Sequence, residues 1–141
     1  MKKQRRRSIV QVSIRPRNYT SFWIALPKGV DDPEPLSQKL GFTPTATRKP
    51  PINALPPAAW ILRIEDHLPF QKDCQEHVDW LLAKFKGKED FIRGLREKDY
   101  WVGVMCHWYV ECGGKPEVRL DTVKQLEDLE ICLDFELEQW K

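Results

Sequence analysis

A chain of 141 residues, 41% hydrophobic and 31% charged, has the size and content of one ordinary domain, with six Trp and six Phe as bulky packing material. That apolar content excludes wholesale disorder. No apolar run approaches the roughly 18 residues a membrane span needs, and the basic start lacks the apolar core of a signal peptide, so the cytoplasm is the expected compartment. Cys74, Cys106, Cys112 and Cys132 are scattered in a chain long enough to fold without staples, and they read as reduced thiols.

The net charge of +2 hides an asymmetry. Lys2, Lys3, Arg5, Arg6, Arg7, Arg15 and Arg17 precede the first acid, Asp31, and without those seven the chain holds 16 basic against 21 acidic residues. A basic arm on an acidic body can touch its own domain, an acidic partner or nucleic acid phosphate. Residues 1–8 are expected to be a flexible basic arm and 9–141 a single α+β domain.

In chain order, Ile9, Val10, Val12 and Ile14 suggest a short edge strand stopped by Pro16. Tyr19 to Leu26, rich in β-branched and aromatic residues, predicts a firmer strand closed by Pro27-Lys28-Gly29. Asp32 to Gly41 predicts a short helix, with Asp32 to cap the first amides, Pro33 in the first turn and Gly41 to stop it. Five prolines between Pro44 and Pro57 predict a long ordered loop.

Ala58 to Ile64 reads as a strand with Trp60, Leu62 and Ile64 on one face. Helical spacing of Cys74, Val78, Leu81, Leu82 and Phe85, and of Phe91, Ile92 and Leu95 after Gly87, predicts two consecutive amphipathic helices. Tyr100 to Val110 is apolar on both alternating faces, as in a central strand. Cys112-Gly113-Gly114-Lys115 reads as a turn, with a short return strand at Glu117 to Leu120. A last helix from about Asp121 to Leu129 would start at Asp121, or at Thr122 with Gln125 as a capping box. The chain ends in a strand with Ile131, Leu133, Phe135 and Leu137 on a buried face and Cys132, Asp134, Glu136 and Glu138 on a wet one. The expected fold is a mixed, largely antiparallel sheet packed against helices. The order strand, link, helix, strand occurs at Tyr19 to about Thr47 and again at Trp101 to Leu137, which suggests a duplicated, ferredoxin-like arrangement.

The landmarks Ser21-Phe22-Trp23-Ile24, Pro35 through Thr45, Arg48, Trp60-Ile61-Leu62, His77-Val78-Asp79-Trp80-Leu81-Leu82 and the aromatic strand Tyr100 to Tyr109 stand in a telling order. Over residues 19–138 the chain resembles the numbered bacterial domain-of-unknown-function family catalogued under 4279. This chain has Pro50 where members often place Gly after the Arg-Lys pair. The resemblance implies an α+β domain and no assigned catalytic residue, and by analogy with other small bacterial α+β proteins an antitoxin-like or immunity-type binding role.

Candidate chemistry is sparse. Cys74 with His77, and Cys106-His107 with Cys112, offer soft ligands, but adjacent strand residues point to opposite faces and no second motif completes a tetrahedron, so buried thiols and ordinary histidines are the favoured reading. A Cys-His nucleophile needs an orienting group that this spacing does not supply. No phosphate loop or nucleophile elbow occurs. No metal, cofactor or catalytic residue is therefore assigned. The leading expectation is a non-enzymatic binding or regulatory protein holding a protein partner through Arg48, Lys49, Trp60, Trp80, His107 and Trp140. Two alternatives stand beside it. Lys2, Lys3, Arg5, Arg6 and Arg7 could neutralise about five phosphates of a nucleic acid, or an unrecognised enzymatic site could form near Arg48 and His107, with Cys106.

Overall fold

Alternation along Tyr19–Ala25 decides the layering of the molecule, because successive side chains of a strand point to opposite sides. In the computed structural model, which describes residues 18–48, 58–68, 73–109 and 116–138, Thr20, Phe22 and Ile24 turn inward and are fully buried. Tyr19, Trp23 and Ala25 on the other side are each partly exposed.

This strand, β1, is the middle one of five. The others are β2 (Ala46–Arg48), β3 (Ala59–Arg63), β4 (Trp101–Tyr109) and β5 (Cys132–Glu138). Their order across the sheet is β2-β3-β1-β4-β5. β1 runs antiparallel to both neighbours, pairing Phe22 with Leu62 of β3 and with Val104 of β4, and β2 is antiparallel to β3. β4 and β5 are parallel, in a register that sets His107 beside Glu136. The sheet is thus mixed and largely antiparallel, as expected.

Four helices connect the strands: α1 (Glu34–Leu40), α2 (Cys74–Lys84), α3 (Glu89–Glu97) and α4 (Leu120–Asp128). α1 begins where Asp32 Oδ1 accepts the Glu34 N–H at 3.0 Å, and ends at Gly41, whose φ of 82° is a left-handed conformation open to glycine without strain. α2 opens on a capping box of Asp73 and Glu76, with the Asp73 N–H donating to Glu76 Oε1 at 3.1 Å. The box at Thr122, one of the two expected starts of the last helix, does not form. α4 starts one residue before Asp121, and its first free amide, on Arg119, is satisfied from another helix by Gln75 Oε1 at 2.6 Å. The Gln75 amide nitrogen donates in turn to Thr122 Oγ1 at 2.8 Å, so one side chain of α2 both caps and anchors α4.

The core lies between the sheet and these helices. Phe22 packs against Phe85 with ring centroids 4.9 Å apart and edge-on to Trp60 at 6.1 Å, while Leu40, Leu62, Leu81, Ile92 and Val104 close around them without exposure. Inside this layer Thr20 Oγ1 lies 2.8 Å from His77 Nδ1, a buried polar pair tying β1 to α2. Removing either partner would leave the other desolvated, at a cost of about 1–3 kcal/mol.

Three expectations are corrected. Ala46–Arg48 inside the proline-rich stretch is a short edge strand rather than loop, held by the Thr45 N–H on Ile61 O at 2.8 Å and by Thr45 Oγ1 accepting from Arg63 N at 2.8 Å. Glu117–Arg119 forms no return strand and Leu120 already belongs to α4. Cys74 and Cys106, expected as reduced thiols, pair as a disulfide joining α2 to β4, with Cα atoms 6.7 Å apart, while Cys132 is a free thiol. The duplication is not established either. β3 lies between β1 and β2, whereas β4 and β5 are direct neighbours, so the two strand-helix-strand segments are not equivalent. The expected strand at 9–14 and the turn at 112–115 lie outside the described residues, as does Cys112. Among the described residues no helix is long and apolar enough to cross a membrane.

Closing a loop of 32 residues restricts the unfolded chain enough to stabilise the fold by about 3–4 kcal/mol in the chain-entropy account. Alkylation of the denatured protein without reductant should therefore label Cys132 and spare Cys74 and Cys106, and peptide mass spectrometry should find those two cross-linked. Equal labelling of all three would refute the pairing.

Candidate functional site

α1 and α2 reach the sheet through its inward face. Ser37 of α1 accepts the Trp60 indole N–H at 3.0 Å, while Cys74 and His77 of α2 meet Cys106 and Thr20, all on the inward side. The opposite side collects the other half of the alternating residues: Tyr19 and Trp23 from β1, Trp101, Met105, His107 and Tyr109 from β4, Arg48 from β2 and Glu136 from β5. This open face is the candidate site.

Its aromatic side chains lie along the sheet instead of standing away from it. The Trp23 indole N–H donates to Ser21 Oγ at 2.8 Å, which folds that ring back over its own strand. A Cβ on Gly103 would overlap the Trp101 ring, so the ring rests directly on the backbone at the one position in β4 that has no side chain to lift it. Gly103 is also the cross-strand partner of Trp23, so the two indoles are set on neighbouring strands. Arg48 holds its guanidinium carbon 5.4 Å from the Trp23 ring centre, in cation-π range.

A second cluster occupies the other end of the face. Tyr19 and His107 stack almost parallel, with centroids 4.8 Å apart and planes at 8°, and Tyr109 leans on the same imidazole at 5.1 Å. His107 Nδ1 lies 3.0 Å from Glu136 Oε2 across the β4–β5 pairing. Asn18 Oδ1 accepts the Tyr109 N–H at 2.7 Å and fixes the end of β4 to the start of β1. The face therefore carries a cation at one corner, a carboxylate at the other and aromatic rings between.

The residues expected to bind a partner separate when placed on this fold. Arg48 and His107 share the open face but sit three strands apart, about 14 Å, and six residues apart along the strands, about 20 Å. Trp60 is wholly buried in the core. Trp80 is half-buried on α2, stacked on His67 at 4.9 Å with Lys84 Nζ 5.3 Å from its ring, and belongs to the helical layer. Lys49, Trp140 and the basic residues Lys2, Lys3, Arg5, Arg6 and Arg7 lie outside the described residues. Among the described residues, Arg48, Trp60, Trp80 and His107 are not brought together.

Chemistry built on Cys106, His107 and Arg48 loses its geometry as well. Cys106 and His107 point to opposite faces, and Cys106 is buried in its pair with Cys74. Among the described residues no group of three or more His, Cys, Asp and Glu is placed to hold a metal ion. The open face offers flat rings with a charge at each end, a chemistry suited to stacking and edge-on contacts.

Tyr19, Trp23, Trp101, Met105, Tyr109 and Glu136 were not singled out as one surface by sequence reasoning. Apolar residues on both sides of β4 look like burial on both sides, and only the β1–β4 register shows that the rings of two strands converge on the open one. Gly103→Ala should displace the Trp101 ring from the face, seen as a change in indole emission, with a stability loss of about 1 kcal/mol. Combined with Trp101→Ala, the same substitution should lose that penalty, giving a coupling of about 0.5 kcal/mol or more in a double-mutant cycle. Strict additivity would show that the ring does not rest there.

No curated protein and no solved structure matches the chain. A family model described as "Domain of unknown function (DUF4279)" matches residues 17–140, a span that takes in all five strands and all four helices. The chain belongs to the DUF4279 family.

Proposed function

We propose that this protein is a non-enzymatic binding or regulatory protein that engages a protein partner on the open sheet face. The observation that carries the reading is the convergence of Trp23, Trp101, Tyr19, Tyr109 and Met105 on the side of the sheet that α1 and α2 leave uncovered, with Arg48 at one edge. Trp, Tyr, Met and Arg are the side chains that interfaces concentrate, because they remove large areas from water at small entropic cost. Trp101 is 37% exposed, so much of its ring is still available for burial.

An immunity-type role in a bacterial cytoplasm is the biological form we attach to this reading. In that setting the Cys74–Cys106 pair, without exposure to solvent, would be shielded from reductants for as long as the domain stays folded. The alternative of nucleic acid held by the basic arm draws no support from this face, since Asp134 and Glu136 on β5 would repel phosphates. An enzymatic site at Arg48 and His107 is opposed by their separation.

A photo-reactive phenylalanine analogue placed at Trp101 should cross-link a specific polypeptide in cells that naturally make the protein, and the same group at Lys86, on the helical side, should not. Arg48→Glu should reduce the Trp101 adduct several-fold. Identical adducts from both positions, or adducts with nucleic acid alone, would contradict the proposal.

A further inference from the structure

Strand pairing arranges the open face in rungs. One rung runs Arg63, Ser21, Met105, Asp134 from β3 to β5, with a cation at one end and a carboxylate at the other. Where β1 meets β4, each of three successive rungs joins a large side chain to a small residue: Met105 to Ser21, Trp23 to Gly103 and Trp101 to Ala25. The large member alternates between the strands, on β4, then β1, then β4. Arg63, Trp101 and Asp134 are all exposed.

We infer, on the reading of the open face as a binding surface, that its protein partner is a second copy of this chain. The two copies stack face to face about a two-fold axis that runs along the strands, between β1 and β4. Such an axis lays β1 of each copy over β4 of the other, and β3 over β5, so every rung meets itself reversed. Arg63 of one copy then faces Asp134 of the other, and the same contact occurs twice. Met105 faces the low position at Ser21, and Trp101 faces Ala25. Trp23 comes down over Gly103, where the Trp101 ring of the other copy lies flat, so indole meets indole in the gap of about 10 Å between packed sheets. A two-fold contact requires a patch complementary to itself, and here both the charges and the sizes of the side chains satisfy that requirement. The other simple axis, across the strands, would set β5 on β5 and crowd the carboxylates of Asp134 and Glu136 against their own copies, which like charge disfavours.

Sedimentation equilibrium of the purified full chain at low ionic strength tests this. Arg63→Asp and Asp134→Arg should each weaken self-association at least about tenfold, because each turns both contacts between copies repulsive. An equimolar mixture of the two variants should associate within about threefold of the unmodified chain, since a mixed dimer restores opposite charges at both contacts. The two residues lie three strand spacings apart in one chain, about 14 Å, so recovery on mixing reports contact between copies. An unmodified chain still monomeric at about 100 μM, where a micromolar Kd would already fill the dimer, would overturn the inference. So would variants that stay apart when mixed. A monomer that still gives the Trp101 cross-link to a different polypeptide would overturn the second copy and leave the binding surface standing, whereas a monomer with no adduct would remove both.

Discussion

β1 is bonded along both edges, and the molecule follows from that. Its backbone pairs with β3 from Ser21 to Ala25 and with β4 from Tyr19 to Ala25, so its side chains have two fixed destinations and no freedom to exchange them. A slip of one residue would send Phe22 and Ile24 to solvent and Trp23 into the helices, exchanging the two faces at once. The hydrophobic effect sets the register and the register then places everything else.

On the inward side this produces an ordinary core crossed by a few polar ties. Thr20 meets His77, Trp60 meets Ser37, and Gln75 serves both the first amide of α4 and the hydroxyl of Thr122. The Cys74–Cys106 pair adds a covalent tie between the helix and the strand that these contacts already align. On the outward side the same alternation leaves rings without helices over them. Those rings are held close to the sheet: Trp23 is bonded to the Ser21 hydroxyl, Trp101 rests over Gly103 and Tyr19 stacks on His107. Surfaces of flat, pre-positioned aromatics lose little conformational entropy when something binds, and the proposed binding role rests on that property.

Much of the architecture was legible in the residues. The caps around Asp32 and Gly41 mark α1, the alternation of Trp60, Leu62 and Ile64 marks β3, and the spacing of Cys74, Val78, Leu81 and Phe85 marks α2. Each of these signals is local. The larger failures are long-range. β2 is three residues among prolines and exists because β3 offers it an edge. The pairing of Cys74 with Cys106 depends on a chain separation of 32 residues folding back. The separation of Trp60 and Trp80 from Arg48 and His107 depends on which face of which strand each belongs to. The candidate surface was half visible: Arg48 and His107 were picked out by residue type, while nothing local separates Trp23 and Trp101 from buried tryptophans, because β1 and β4 carry large apolar residues on both sides. Strand order, which no short window contains, is what turns those two tryptophans outward.

The division of the sheet into a filled face and an open one is tested most directly by nuclear magnetic resonance of the indole N–H groups in the presence of a soluble paramagnetic agent. The account predicts strong attenuation of the Trp101 signal, partial attenuation of Trp23, and signals from Trp60 and Trp108 that survive almost unchanged. Attenuation of Trp101 no greater than that of Trp60 would contradict it.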